Sequence, residues 1–193
     1  MTKQAPQQLD VVAYNAFVAR FHEETDRAAA VLAGGYLDAF MEAALRSVLV
    51  AGARLDGLFE AQGPLRSFGS KIAFAAALGL VTDALARDMD LIRKVRNHFA
   101  HHIWDASFDS APVSNWCRAI GVVDSAVDRT TGDRVQDSSP PRNRYLLAVG
   151  MTTMLVAHSP KVPGYFRERM TGIRQTECAA QPGVPVAGDG SRS

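Results

Sequence analysis

The chain has 193 residues, with 21 lysines and arginines against 20 aspartates and glutamates, so its formal net charge is only +1. Hydrophobic residues make up 47% and charged residues 21%, which predicts one globular domain with a packed core and excludes a disordered chain. Because the charges balance, polyanions gain no bulk attraction, and we do not expect direct binding of duplex DNA.

The cysteines and the apolar runs indicate where the chain resides. Cys117 and Cys178 have no CxxC or Cys/His spacing, which argues against a disulfide framework or a zinc site and favours a reducing compartment. The first eight residues are too polar for a secretory signal. The longest apolar runs, residues 72–81 and 145–157, are shorter than the roughly 18 residues of a membrane span. We therefore expect a cytoplasmic protein with no membrane segment.

Apolar spacing predicts helices from the N-terminus onward. Residues 9–21 form a short amphipathic segment, and a long helix follows from Asp26, with Thr25 or Asp26 as its N-cap. Gly34 and Gly35 interrupt this helix at a cost in stability, so we expect them to allow close packing against a neighbouring helix.

The middle of the chain predicts three further helical segments. Residues 54–61 form a short helix that ends at the Gln62-Gly63-Pro64 turn. Residues 67–80 are alanine-rich and apolar on all sides, which predicts the central helix of a bundle. Thr82 is the predicted N-cap of a helix that runs from Asp83 to about His102.

The last third predicts two more helices and a tail. A short helix at residues 113–120 precedes a polar loop at residues 124–141, and the last helix covers residues 144–158. Beyond about residue 171 the chain is rich in proline, glycine and serine, which predicts a flexible tail.

The predicted fold is therefore all-α, a single-domain bundle of about five to seven helices. It divides into an N-terminal helix and lead-in at 1–24, a bundle at 25–160 and a largely flexible C-terminal extension at 161–193. No stretch alternates with the period of a strand, and no glycine-rich phosphate loop follows one, so we predict no nucleotide and no other cofactor.

One arginine stands out in the helix that starts at Asp83. Leu85, Met89, Ile92 and Phe99 define an apolar stripe, and Arg96 falls in its middle. Since a guanidinium cannot shed its charge, it must be paired with a carboxylate, bonded to helix-end carbonyls or open to a cleft.

A second face of the same helix carries polar candidates. Asp90, Asn97 and His101 line this face, with Arg93 between it and the apolar stripe, so they can flank one groove. Asp90 and Arg93 are therefore candidate binding residues.

Three histidines crowd the end of this helix. His98 and His102 are further candidate binding residues, and with His101 they lie where the helix dipole favours imidazolium and should raise their pKa values. Asp105 and Asp109 lie nearby, but the spacing lacks the glutamate of helical zinc motifs, and we predict no metal site.

Several runs carry a family resemblance: Asp26-Arg27-Ala28-Ala29, Tyr36-Leu37-Asp38, Gly63-Pro64-Leu65, Phe68, Lys71-Ile72, Leu78-Gly79-Leu80, Asp90-Leu91-Ile92-Arg93-Lys94-Val95-Arg96-Asn97 and Phe99-Ala100-His101. Together they resemble the MltR family, the mannitol operon repressor and its relatives, over residues 25–116. The resemblance implies an all-helical, often dimeric regulator that lacks a recognisable helix-turn-helix and represses sugar-alcohol operons through protein partners. The leading hypothesis is therefore a transcriptional regulator that forms a homodimer and binds another protein.

A second resemblance implies an enzyme. The pattern Arg96-Asn97-x-x-x-His101 is similar to the R-x4-H motif of HEPN domains, which include metal-independent ribonucleases. It implies that His101 takes the proton of a ribose 2′-OH, that Arg96 steadies the phosphorane charge and that Asn97 positions them, with RNA as the partner. The sequence departs from the commonest toxin form at Ile103, where a tyrosine is often seen.

Structural interpretations stand beside these catalytic ones. Arg96 and His101 lie about 140° apart on a continuous helix, so they share a site only if the helix ends or bends or a dimer closes the cleft. Arg96 can instead form an ion pair with the long helix, and His101 can cap free carbonyls at the helix end. The candidate carboxylates for Arg96 are Asp26, Asp38 and Glu42.

Overall fold

The structure is a computed structural model that describes residues 21, 23–102, 104–125 and 140–163. Within these residues there are six α-helices, one 3₁₀ turn and no strand, which confirms the predicted all-α bundle. The helices are α1 (Asp26–Val48), α2 (Ala53–Phe59), α3 (Phe68–Ala77), α4 (Asp83–His101), α5 (Val113–Ala119) and α6 (Pro141–Ala157), with the 3₁₀ turn at Val123–Ser125. Outside the described residues lie Ile103, the predicted tail, most of the predicted loop and nearly all of the predicted first helix.

The central helix is α1. It begins where the sequence predicts, since the Thr25 side chain accepts a hydrogen bond from the Ala28 amide, and it packs against α3, α4 and α6. The prediction that residues 67–80 form the central helix was wrong, because α3 leaves Ala73 and Ala77 exposed. Alanine has little surface to bury, so its abundance did not report burial on every side of α3.

Helices α1 and α4 cross closely in opposite directions. The Arg27 guanidinium near the start of α1 donates to the Phe99 carbonyl near the end of α4. Further along α1, Gly34 lies against the Arg96 side chain, which is earlier in α4. The predicted close packing is confirmed at Gly34, whereas no atom approaches within 4 Å of a Cβ placed at Gly35.

Helix α6 lies beside α1 and runs in the same direction. Arg142 forms an ion pair of 2.9 Å with Asp26, and the Tyr145 hydroxyl donates to the Ala30 carbonyl at 2.8 Å. Because both contacts advance together along the two helices, α1 and α6 are parallel, and α1 packs against both α6 and α4. Tyr145 is fully buried at this junction.

A chain of ion pairs links α1 to α2 and α3. Lys71 of α3 is only 5% exposed, and its ammonium lies 2.8 Å from Asp38 and 2.9 Å from Glu42 of α1. Glu42 also pairs with Arg46, which reaches Asp56 of α2. This network gives the buried ammonium the carboxylates that its burial requires.

The connection after α5 is held on α4 by a buried carboxylate. Asp88 accepts the Gly121 amide at 3.0 Å and the Val122 amide at 2.7 Å. Two backbone donors satisfy both oxygens, so the carboxylate is retained in a buried position without a cation.

Arg144 attaches α6 to the end of α5. Its guanidinium donates to the Cys117 and Ile120 carbonyls and pairs with Asp124. Burial raises the pKa of the neighbouring Cys117 thiol to about 12, although the positive charge of Arg144 opposes this shift. The thiol therefore stays protonated at neutral pH and is not a nucleophile.

Length and composition alone would allow α1 to cross a membrane, but half of the qualifying window is buried within the bundle. Helix α1 also carries the carboxylates that pair with Lys71. These features are those of a core helix, whose apolar residues contact other helices rather than lipid.

Candidate functional site

Helix α4 carries the predicted site residues. The Thr82 hydroxyl accepts the Leu85 amide at 3.2 Å and starts the helix, which continues without a break to His101, with His102 as its C-cap. Met89, Ile92 and Phe99 of the predicted stripe are completely buried. The core therefore fixes the rotation of α4 and, with it, the direction of every candidate side chain.

Arg96 lies on the buried flank of α4, against α1. Its Nη1 donates to the Asn97 Oδ1 at 3.0 Å, and its Nε is buried without a hydrogen-bond partner among the described residues. The structure brings these two predicted catalytic residues together. A buried guanidinium N–H without an acceptor destabilises the fold by about 1 to 3 kcal/mol. A ligand that supplied an acceptor to this Nε would recover that free energy.

The carboxylates considered for Arg96 have other partners. Asp26 pairs with Arg142, whereas Asp38 and Glu42 pair with Lys71. In the described part of the chain Arg96 forms no ion pair, so its structural interpretation as a partner of α1 carboxylates was wrong. Arg142 of α6 and Lys71 of α3 already satisfy these carboxylates at 2.8 to 2.9 Å.

Tyr145 lies at the same junction. Its hydroxyl is within 2.9 Å of the position that a Gly34 Cβ would take. Burial raises the pKa of Tyr145 far above its ordinary value, and the positive charge of Arg96 opposes that shift. The hydroxyl therefore remains protonated and acts as a hydrogen-bond donor rather than as a base.

Asp90 and Arg93 are neighbours on α4 and bind each other. The Arg93 Nε lies 2.9 Å from the Asp90 carboxylate, and the same guanidinium lies over Gly69 of α3. A partly exposed pair of this kind contributes at most about 1 kcal/mol. These two candidate binding residues therefore link α4 to α3 and neutralise each other.

His98 and His102 form an aromatic cluster at the end of α4. Their rings stack with centroids 4.0 Å apart, and Trp116 of α5 meets His98 edge to face at 5.9 Å. The predicted rise in pKa was wrong for His98. Burial lowers its pKa, the positive charge of His102 lowers it further, and Asp105 opposes both.

His101 is exposed, and other residues bond to the C-terminal carbonyls of α4, among them His102, whose Nδ1 lies 3.1 Å from the His98 carbonyl. Arg27 of α1 donates to the Phe99 carbonyl at 2.6 Å and also to the His102 carbonyl. The sequence pointed to His101 for this role because the three histidines are local to the helix end. The actual donor lies 72 residues earlier.

Arg96 and His101 do not converge within one chain. Helix α4 is continuous between them, so they stay about 140° apart around its axis. Arg96 is directed towards α1 and His101 towards solvent. Among the residues that the structure describes, no cluster of three or more histidine, cysteine or acidic side chains is arranged to hold a metal.

No family model, no curated protein and no solved structure matches this chain.

Three residues that meet around Arg96 could not be grouped from the sequence. Arg27 caps α4, Gly34 admits the Arg96 side chain, and Tyr145 bonds to the α1 backbone. The paired glycines were the signal that could be seen in the sequence. Arg27 and Tyr145 take part through contacts with residues far away in the sequence, and local residue spacing does not predict such contacts.

Proposed function

We propose that the protein is a cytoplasmic regulator that works as a homodimer and binds another protein, without a catalytic step of its own. The outer face of α6 is the observation that carries this proposal. Leu147, Met154 and Leu155 are 45%, 44% and 49% exposed there, and Met151 lies between them, half-buried. The opposite face of α6 is buried in the bundle, so α6 is apolar on both sides.

A helix that is apolar on both sides favours burial on both sides. Residues 147, 151, 154 and 155 follow the i, i+4, i+7, i+8 spacing of one helical stripe about 12 Å long. Helix α6 contains no acidic residue, and its two arginines are in its first turn. Two copies of the stripe can therefore pack together without placing like charges against each other. A two-fold interface of this kind is the commonest way in which identical chains assemble.

Sedimentation of the full chain at micromolar concentration tests the dimer. We expect about 42 kDa, twice the chain mass of 20.8 kDa, and a monomer for Leu147→Glu. Val50→Glu is the matched control, because Val50 is a 91% exposed apolar residue outside α6. A wild-type chain that sediments only as a monomer would contradict the proposal.

The transcriptional role rests on the MltR resemblance over residues 25–116. Two of its shared residues, Asp38 and Lys71, form the α1–α3 ion pair, so the shared positions include residues that build the bundle. Deletion of the gene should raise transcription of a sugar-alcohol operon. Wild-type protein should restore repression and the Leu147→Glu monomer should not; unchanged transcript levels after deletion would rule out this role.

Arg96 favours a second candidate, the HEPN-type ribonuclease. A guanidinium that is bonded to Asn97 and has no carboxylate partner in the described residues is suited to a phosphate. The 140° separation requires His101 to act across a dimer.

An RNA assay separates the two functions. Single-stranded RNAs of varied sequence are incubated with wild type, Arg96→Ala and His101→Ala, and products are examined for 2′,3′-cyclic phosphate ends. A regulator leaves every RNA intact. Cleavage by wild type that falls by about 10² to 10⁴ in folded His101→Ala would establish the ribonuclease instead.

A further inference from the structure

A groove of about 710 Å³ runs between the first half of α4, the connection after α5 and the end of α6. One wall is a stripe of α4 that includes Arg87, Leu91 and Lys94, and the opposite wall includes Val122 and Leu155. The groove is on the far side of α4 from the Gly34 contact of Arg96.

The two basic residues of the groove are available to a ligand. Arg87 and Lys94 are exposed, and neither forms an ion pair with another described residue. The acidic groups nearby are already engaged, since Asp88 holds two backbone amides and Asp90 pairs with Arg93. Among the described residues, the groove therefore combines apolar walls with two exposed cations, whereas the Asp88 carboxylate is buried against the backbone after α5.

Spacing along α4 defines what fits. Arg87, Leu91 and Lys94 are at i, i+4 and i+7, so they share one face, and the two cations lie about 10 Å apart along the axis. Two turns of a helix cover the same distance. A partner helix with leucines facing Leu91, flanked by carboxylates, would match both the apolar and the charged features.

We propose that this groove binds an acidic amphipathic helix of a partner protein. The inference deepens the proposed function, on which it rests, by naming the chemistry of the partner. Charge excludes two other occupants. Residues 164–193 contain four arginines against three acidic residues, and α6 of a second copy contains no acidic residue at all. The first segment carries more cations than carboxylates and the second carries no carboxylate, so neither complements Arg87 and Lys94.

A labelled synthetic helix tests the proposal by fluorescence anisotropy with the full chain. The probe has leucines at i, i+3, i+4 and i+7 and glutamates on both flanks. One matched probe carries lysines in place of the glutamates, and another carries serines in place of the leucines. We expect the acidic leucine probe to bind at least about tenfold more tightly than either matched probe, since each feature contributes.

Protein variants locate the binding. The double variant Arg87→Glu and Lys94→Glu should weaken binding of the acidic probe at least about tenfold, as should Leu91→Ser, at a residue that lies in the groove but outside the α6 stripe. The control is Arg54→Glu with Arg66→Glu, two exposed arginines outside the groove whose reversal changes the net charge equally. Wild-type affinity in this control, with circular dichroism unchanged in all variants, supports the groove.

Three results would overturn the proposal: no binding of the acidic probe, equal binding of the three probes, or full binding by the Arg87 and Lys94 variant. If the serine probe bound as tightly as the acidic leucine probe, charge alone would account for the binding. Sedimentation tests the dimer independently of probe binding. A Leu147→Glu variant that is monomeric and still binds the probe would support both proposals. A wild-type chain that is monomeric and binds the probe would contradict only the proposed dimer.

Discussion

A methyl group on Gly34 would lie 2.6 Å from the Cβ and 2.7 Å from the Cγ of Arg96, closer than real side chains approach. The atoms it would meet first are the stem of Arg96 next to the α4 backbone, which cannot swing aside. Gly34 therefore sets the distance between α1 and α4. Its intrinsic cost to helix stability is offset by the packing that it allows.

Gly34→Ala and Gly35→Ala should have opposite effects on stability. Alanine gains about 1 kcal/mol of helix propensity at either position, but overpacking at position 34 costs about 1 to 3 kcal/mol. Position 35 has no atom within 4 Å of the new Cβ, so it retains the gain. Thermal unfolding should show a lower midpoint for Gly34→Ala and a midpoint raised by about 2 to 4 °C for Gly35→Ala.

A rise in the midpoint of both alanine variants would show that the helices separate easily at position 34. Equal falls in both would show that the glycines are needed for a reason other than contact with Arg96.

Lys71 should contribute strongly to the stability of the bundle. Its replacement by Met keeps most of the buried stem but leaves Asp38 and Glu42 without their shared cation. Removing one member of a fully buried pair costs about 3 to 5 kcal/mol, and about 2 kcal/mol is expected here because both carboxylates are partly exposed. Urea unfolding measures the loss.

The double variant Lys71→Met and Asp38→Asn is the control for charge. Because it removes one of the two abandoned carboxylates, it should recover part of the stability that Lys71→Met loses. If Lys71→Met unfolds at the wild-type urea concentration, the ion pairs contribute nothing.

Arg27 and His101 provide a test of which residue caps α4. Arg27→Met removes both guanidinium bonds to the helix-end carbonyls and should destabilise the chain by about 1 to 3 kcal/mol. His101→Ala removes an exposed side chain and should change stability by less than about 0.5 kcal/mol. Hydrogen exchange in the last turn of α4 should accelerate only in Arg27→Met; the reverse order would restore His101 as the cap.

His98 should make the fold less stable in mild acid. Burial lowers its pKa from 6.5 in the folded chain, so the unfolded chain takes up a proton first as the pH falls. The unfolded state then binds more protons, and the free energy of unfolding decreases as the pH falls through 6.5. Urea midpoints at about pH 7.5 and about pH 5.5 should differ less in His98→Gln than in wild type. If the two urea midpoints differed equally in His98→Gln and in wild type, His98 would not be the cause of the pH dependence.

The helices and their starts could be predicted because the signals are local. Thr25 and Thr82 accept hydrogen bonds from amides three residues later, as their positions before apolar periodic segments indicated. The Arg96 side chain was recognised as unusual for the same reason, since it interrupts a stripe with a period of 3.6 residues.

The partners of the site residues could not be predicted in the same way. Arg96 does not pair with α1 because Lys71 and Arg142, distant in sequence, occupy those carboxylates. Likewise Arg27 takes the capping role that the sequence suggested for His101, while His102 bonds to the His98 carbonyl at 3.1 Å. Competition among several cations for a few carboxylates and carbonyls is settled by the crossing of helices, and periodicity does not encode it.

The two tryptophans report on different parts of the molecule. Trp104 is 96% exposed, so its fluorescence should be red-shifted and open to quenching by iodide. Trp116 is half-buried against the His98 ring, so its emission should be bluer and should respond to events at the end of α4. One tryptophan is therefore exposed to water and the other is half-buried, so their fluorescence can follow unfolding and partner binding without an added label.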